Sequence, residues 1–532
     1  MNGDLPSAEL GAPPAGESLR SSTVSTIVVM GSTLATRLLG FARIAVIGAV
    51  FGGAGQADVL NLVFNIPNNL RKLLAEGALS SAFIPVLSRE IVRDPSGANS
   101  RAIVRNLLAF QFLILVPALA AAIVFAAPII NTILDFPEPE RQALAAELFR
   151  YLINYLLLIS VSAVLVGTLN AHNRFFVPAV TPLFFSIAVI VSILTLHRQL
   201  GIFSMAVGVL AGGVLQVAFQ APLFFRLGYD FRLSFRFDNP HFRHIVRRWL
   251  PVVTAASIFT INQQVALLFA SGLEDGSGSA MTNALTFWQL PFGIFSASIT
   301  TVLFPRMSRE HAHNDRPALR RSVAYGLRYL FALLIPAAVV LGLLGREIIA
   351  VALQRGAFEP QYTELAARVL AGFSLGLFSV GAYTFLQRFF YACGDYKTPL
   401  RVAIITLVVD VGLSLWLKET ALRVVGLSIA NSAAFTLGAV LLFRRTVLDL
   451  DGIALRSFAA TALKVAATAL PLAGFILAFR TYTGDWWLEG STLGNLARLA
   501  AGGISSVGIV LVMYWVLRVE FVRTLLPRRG KP

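Results

Sequence analysis

Apolar residues run along this chain in stretches of about twenty, separated by short polar connections. "LLAFQFLILVPALAAAIVFAAPII" (107–130) and "YGLRYLFALLIPAAVVLGLLG" (325–345) are two examples. Wound as a helix, each is long enough to cross a hydrocarbon core of about 30 Å. Continuous runs predict helices, whereas a membrane barrel would show apolar and polar residues in alternation. We count fourteen spans, near 24–50, 58–88, 104–130, 148–170, 177–197, 203–226, 246–271, 281–305, 322–345, 364–391, 399–417, 424–444, 457–480 and 493–518. The expectation is an all-α polytopic membrane protein. Residues 1–23 are polar and rich in Pro, Gly and Ser, with no apolar signal-peptide core, and read as a disordered tail.

The pattern repeats itself. "SAFIPVLSRE" (81–90) returns as "TVLFPRMSRE" (301–310), with Ser88 and Ser308 at an offset of 308 − 88 = 220. "AHNRFFVP" (171–178) is echoed by "ACGDYKTP" (392–399), at an offset of 399 − 178 = 221. Six spans separate the paired stretches, and six is even, so the two halves should share one orientation about an axis along the membrane normal. The expected organisation is six helices over 24–226, a basic connection over 227–245 and six helices over 246–444. Two extra spans follow over 457–518, with a basic tail over 519–532. Duplicated bundles of this kind are the usual build of secondary transporters.

Composition sharpens the class. The chain of 532 residues is 56% hydrophobic and 14% charged, against about 25% charged in an average soluble protein. Its net charge is +16 (44 basic minus 28 acidic residues), which in a soluble protein would suggest nucleic acid. Placement explains it otherwise. The 226–248 and 306–321 connections are dense in Arg, whereas "FGGAGQAD" and "GLEDGSGS" carry no Lys or Arg. The positive-inside rule puts the basic connections and both termini in the cytoplasm, so no nucleic-acid partner is expected. Cys393 is the only cysteine, so no intramolecular disulfide can form.

Two spans break the apolar rule. In the first, Thr33, Thr36, Arg37, Gly40 and Arg43 fall within an arc of roughly 120°. In the second, Asp58, Asn61, Asn65, Asn69, Lys72, Glu76 and Ser80 recur every three or four residues. Arg71 lies about 100° off that stripe on an ideal wheel, although Pro67 can reset the phase, so either Arg71 or Lys72 points inward. A single charge at mid-bilayer costs about 2.5–3.5 kcal/mol on insertion scales, so these residues should avoid lipid. One reading is structural: Lys72 pairs with Glu76, and Asp58 with Arg37 or Arg43. The other is a central cationic cavity between the halves, walled by the stripe and shaped for an anionic headgroup.

Other chemistry is sparse. The glycines of "FGGAG" have no strand before them to make a nucleotide loop, and no Walker lysine follows. His241, His244, His311 and His313 lie in Arg-rich connections and read as solvated side chains rather than metal ligands. No nucleophile–base pair stands out, so a non-enzymatic transporter without cofactors is expected. Asp410, alone within the eleventh span, admits two roles: binding a coupling cation or proton, or hydrogen bonding to a neighbouring helix.

"TRLLGFARIAVIGAVFGGAGQAD" followed by "NIPNNLRKLLAEGALSSAFIPVLSRE" resembles the N-terminal signature of the MurJ (MviN) lipid II flippases, of the multidrug/oligosaccharidyl-lipid/polysaccharide exporter superfamily. The resemblance is dense over 36–90 and continues in "GTLNAHNRFFVPA" and "LPFGIFSASITTVLFPRMS". It implies a MATE-like fold in a bacterial inner membrane. It also implies flipping of the undecaprenyl-pyrophosphate-linked peptidoglycan precursor by alternating access, as a monomer driven by a coupling cation or the membrane potential. The family's cavity residues fall on Arg37, Arg43, Asp58 and Arg71, with Glu76 in the matching motif, and the stripe adds Lys72 as a substrate-binding candidate. Three positions depart from it: Ile44 stands where an acid is usual, Thr286 where an arginine is, and Gln289 where a second acid is. A related exporter of another lipid-linked saccharide, or of drugs, is the alternative. A cavity for organic cations would call for acids, and the excess here is basic.

Overall fold

The computed structural model describes residues 19–74, 78–450, 452, 455–489 and 492–520. Every element among them is helical. The first half runs through Leu19–Phe51 (α1), Gln56–Leu74 (α2), Ala78–Arg93 (α3), Ala98–Val124 (α4), Ala126–Ile133 (α5), Pro139–Leu152 (α6), Tyr155–Ala171 (α7), Phe176–Leu200 (α8) and Phe203–Arg226 (α9). The second runs through Pro240–Ser271 (α10), Ser277–Pro291 (α11), a π-helical turn Phe292–Ser296, Ala297–Ala312 (α12) and Arg316–Leu353 (α13). It continues with Pro360–Leu375 (α14), Leu377–Ala392 (α15), Lys397–Leu417 (α16) and Arg423–Asp449 (α17). Leu455–Thr483 (α18), the short Trp486–Glu489 (α19) and Thr492–Val516 (α20) complete the chain.

Ten helices or joined helices are long and apolar enough to cross a membrane, and eleven with the bent pair α14–α15 taken as one span. The helices outside that test include α1, α2, α3 and α10, which carry the polar stripe or, in α10, the arginines of the basic connection. With them, the order of segments is consistent with fourteen spans. Local chemistry sets several boundaries. Pro139, Pro240 and Pro360 open α6, α10 and α14, where the missing N–H would have had no partner. Asn239 Oδ1 accepts from His241 N (2.9 Å) and Asp315 Oδ1 from Ala318 N (2.9 Å), capping α10 and α13.

The repeat in sequence returns in the helices. α11 starts 277 − 56 = 221 residues after α2. The same difference separates α14 from α6 (360 − 139 = 221) and α16 from α8 (397 − 176 = 221). Packing follows suit. α8 lies on α9 as α16 lies on α17, α3 on α7 as α12 on α15, and α2 on α6 as α11 on α14. The last two long helices pack on α13 and on each other. Glu347, buried on α13, forms an ion pair with Arg480 of α18 (Nε to Oε1 2.9 Å), so the two charges face each other within an apolar contact.

The connection between the halves is tied to α4. Ser234 N donates to Arg105 O (3.3 Å), Asn106 Nδ2 donates to Arg236 O (2.9 Å), and the Arg105 guanidinium grips Asp230. That hydrogen bond holds the Asp230 carboxyl below its ordinary value of 3.8. A depressed folded pKa contributes stability above the unfolded pKa, lost as pH falls through the folded one. The tether should therefore hold equally at pH 7 and pH 5. Both partners are about a third exposed, so its worth is less than about 1 kcal/mol. Hydrogen-exchange mass spectrometry over 227–239 should show equal protection at the two pH values once intrinsic rates are corrected. Asp230→Asn should raise exchange there a few-fold, and no change would deny the tether its role.

Candidate functional site

The polar stripe of α2 meets the second half rather than open water. Asp58 is 2% exposed, and its carboxylate accepts from the backbone N–H of Ser279 in the first turn of α11. Asn61 Nδ2 donates to Ser279 Oγ (2.9 Å), Asn65 Nδ2 to Thr282 Oγ1 (3.2 Å), and Asn69 Nδ2 to Gln264 Oε1 of α10 (3.3 Å). The N-cap of α11 is Gly276, which has no side chain to accept these amides. Asp58 supplies that acceptor from the other half, and its charge suits the positive end of a helix. The expected cavity wall is thus corrected to a seam, because amide and carboxylate groups in an apolar bundle pair with each other before they pair with water. Asp58 and Ser279 are 279 − 58 = 221 residues apart, the repeat offset itself, so each meets its own counterpart.

The same end of the bundle carries further ties. Gly55 N donates to Asp275 Oδ1 (2.8 Å), and Arg141 of α6 pairs with the same carboxylate. Ala357 N donates to Ala49 O (2.9 Å). Here the glycines of "FGGAG" find their reason. Gly52 has φ +85°, and a Cβ on Gly53 would sit 2.6 Å from the Tyr362 side chain. The turn needs bare backbone because the other half lies on it.

The arginines sit elsewhere. Arg43 and Arg71 line a cavity of about 500 Å³. Among the described residues its walls come from α1, α2, α7, α8 and α9, all of the first half, where walls from both halves were expected. Arg43 stacks over Phe185 (5.0 Å to the ring centroid) and near Phe64 (6.0 Å). Its Nε is buried without a hydrogen-bond partner. Arg71 Nε donates to Asn68 Oδ1 (3.2 Å), one turn back. Pro67 inside α2 therefore leaves Arg71 in the cavity wall. The Lys72 side chain and all of Glu76 lie outside the described residues. Arg37 is exposed and reaches the second half, with Nη2 3.6 Å from where a Cβ on Gly293 would stand. Gly293 belongs to the π-helical turn, which the sequence reading did not anticipate.

Among the described residues neither Arg37 nor Arg43 forms an ion pair, and Asp58 is engaged by Ser279 instead. The cavity also takes polar groups that sequence reasoning passed over: Tyr155, Ser162, Thr181, Ser186 and Gln216. Their signal was present as polar residues inside apolar spans, but without charge they did not stand out. Ile44 is half-buried in the apolar packing of α1. Thr286 is half-buried outside this cavity, its hydroxyl on the Thr282 carbonyl (3.0 Å), and Gln289 is exposed. Asp410, 3% exposed, accepts from Asn431 Nδ2 (2.8 Å) and Ser414 Oγ (3.4 Å), which supports its hydrogen-bonding role.

The family described as "Lipid II flippase MurJ" matches residues 47–497. A "Probable lipid II flippase MurJ" of Borreliella burgdorferi is 32% identical over 93% of this chain and 97% of its own. A "Lipid II flippase MurJ" of Burkholderia cenocepacia is 26% identical over the same shares. Among solved structures, "Lipid II flippase MurJ, inward closed conformation" superposes with TM-score 0.75 at 24% identity, covering 94% of this chain and 99% of that one. An inward-facing multidrug resistance MATE family transporter of the MOP superfamily follows at TM-score 0.66 and 16% identity, covering 80% of this chain and 98% of that one. Both likenesses fix the fold as MATE-like.

The seam makes a demand that can be measured. Asp58→Ala leaves the first turn of α11 without its acceptor, so contact between the halves should loosen at that end. A cysteine placed at Asn61 should react with a water-soluble maleimide several-fold faster in the Asp58→Ala background than with Asp58 intact. Equal rates, with membrane abundance unchanged, would show that Asp58 does not hold the halves together.

Proposed function

This chain belongs to the MurJ family of lipid II flippases, and on that footing we propose that it carries lipid II from the cytoplasmic to the outer leaflet by alternating access. The observation that carries this reading is the pair of guanidinium groups, Arg43 and Arg71, in a cavity to which no carboxylate contributes among the described residues. A pyrophosphate brings about two negative charges, and guanidinium binds it through paired N–H bonds at fixed geometry. Phe185 and Phe64 lie against the Arg43 guanidinium, whose buried Nε has no hydrogen-bond partner and is left as a donor for an anion. Lysine could lose its proton in so apolar a place, whereas arginine stays charged.

Size and position complete the proposal. About 500 Å³ holds a pyrophosphate but not a saccharide-bearing headgroup as well, so the halves must part for the whole substrate. The ties at Asp58, Asp275 and Ala357 lie at the α1–α2 end. The arginine-rich connections of 226–248 and 306–321 lie at the opposite ends of their helices. By the positive-inside rule the seam then faces outward and both termini are cytoplasmic. Breaking the seam releases the substrate to the outer leaflet.

The test is complementation of a depleted host, with membrane levels measured in parallel. Arg37→Ala, Arg43→Ala or Arg71→Ala should abolish growth and leave lipid II in the cytoplasmic leaflet, at normal protein abundance. Lysine at the same positions should rescue in part, since it restores the charge without the fork. Full growth from a strain carrying both Arg37→Ala and Arg43→Ala would falsify the cationic-cavity mechanism. Loss of the protein from the membrane would assign the arginines a structural role instead.

A further inference from the structure

We propose that a slot between α4, α7 and α10 holds one acyl chain of a glycerophospholipid from the surrounding bilayer, hydrogen-bonded through its ester oxygens. Three polar atoms carry the inference. Gln111 Oε1, Ser160 Oγ and Trp249 Nε1 are all buried, all without a hydrogen-bond partner, and all line this one slot. Ser160 is 0% exposed and Gln111 9%. Unpaired polar atoms in an apolar interior are costly, and three on one slot mark a place where something supplies their bonds.

The shape of the slot selects the occupant. Its open interior is only about 40 Å³, room for a thin chain or a few waters and not for a sugar or a headgroup. Apart from the three polar groups its wall among the described residues is apolar, with Leu107, Ile114 and Ile245 in the lining. It opens sideways, because Ile114 is 46% exposed on a face of α4 that also presents Leu113 and Val116. In a membrane that face meets hydrocarbon, so the occupant enters from the bilayer. Trp249 Nε1–H and the Ser160 hydroxyl can donate to an ester carbonyl, and Gln111 can turn either end of its amide to the chain. A polyprenyl chain has no such oxygens along its length. Arg243 and Arg247, exposed on α10 within two turns of Trp249, lie where the headgroup phosphate of an anionic lipid would emerge.

The slot shares no lining residue with the arginine cavity, and the proposal does not depend on the flippase reading. Its place has a consequence. α10 begins the second half by the repeat, yet it packs on α2, α3 and α4 of the first. A chain seated between α4, α7 and α10 therefore lies at a contact between the halves.

The full chain, reconstituted in nanodiscs, can be irradiated with phosphatidylglycerol bearing a diazirine on one ester-linked acyl chain, and the adducts mapped by mass spectrometry. Labelling at 107–115 and 245–249 should exceed that at the equally apolar surface of 504–512 by at least five-fold. Ser160→Leu and Ile114→Trp should each remove that excess. Ile114→Trp, at the exposed rim, decides the matter if Ser160→Leu does not insert. The ether-linked analogue, which lacks the carbonyls, should label the slot no more than the control surface. Uniform labelling, equal labelling by ester and ether lipids, or an excess that survives both substitutions would overturn the proposal and leave the slot to water.

Discussion

A carboxylate sealed between two halves of a membrane protein survives only where donors meet it, and here the donor is the open first turn of a helix in the other half. Asp58 accepts from Ser279 N, and the rest of the α2–α11 contact follows from that meeting. The seam carries a row of polar contacts beside apolar ones such as Leu62 on Gly278, and the polar ones matter for a joint that must open. Each of its hydrogen bonds can be exchanged for one to water, so the net loss is about 0.5–1.5 kcal/mol for a neutral pair and about 1.5–3 kcal/mol for the bond to the Asp58 carboxylate. Closure therefore depends on the sum of several modest terms, and a ligand with a modest preference for the open state can reverse it.

Charge is sorted by sign across the first half. The acid of α2 that the structure describes goes to the seam, and the bases go to the cavity and its approach. This separation keeps Asp58 from neutralising the arginines. A guanidinium desolvated against two phenylalanine rings and left with a buried, unpartnered Nε is poised for an anion. The cost of holding it there is set against the cation–π contacts, which are worth about 2 kcal/mol when desolvated.

Much of this is legible in the sequence. Periodicity and run length show the helices, and the doubled "PVLSRE" and "PRMSRE" show the repeat that later reappears in the packing. The charged positions on α1 and α2 were also plain. Their partners were not, for a physical reason: a helical wheel gives the face of a residue but not what that face meets. Asn61, Asn65 and Asn69 suit a water-filled wall and an amide seam equally well, and only the position of α11 decides between them. Arg71 stayed ambiguous because Pro67 alters the phase by an amount that sequence does not give. Uncharged contributors such as Ser162 and Gln216 were lost among the many small polar residues that membrane helices use for packing.

Symmetry of fold does not extend to symmetry of chemistry. Carrying the offset of 221 to the cavity residues places Gln264 opposite Arg43 (264 − 43 = 221) and Phe292 opposite Arg71 (292 − 71 = 221). Gln264 already receives a hydrogen bond from Asn69, and Phe292 opens the π-helical turn. Neither can replace a guanidinium. The second half thus offers hydrogen-bond partners to the seam and a close approach at Gly293, while the first half alone holds Arg43 and Arg71 in the cavity wall. An anion bound by those two residues is held by one body. When the seam opens, that body retains the charge, and the other half moves relative to it without breaking any of the strongest contacts.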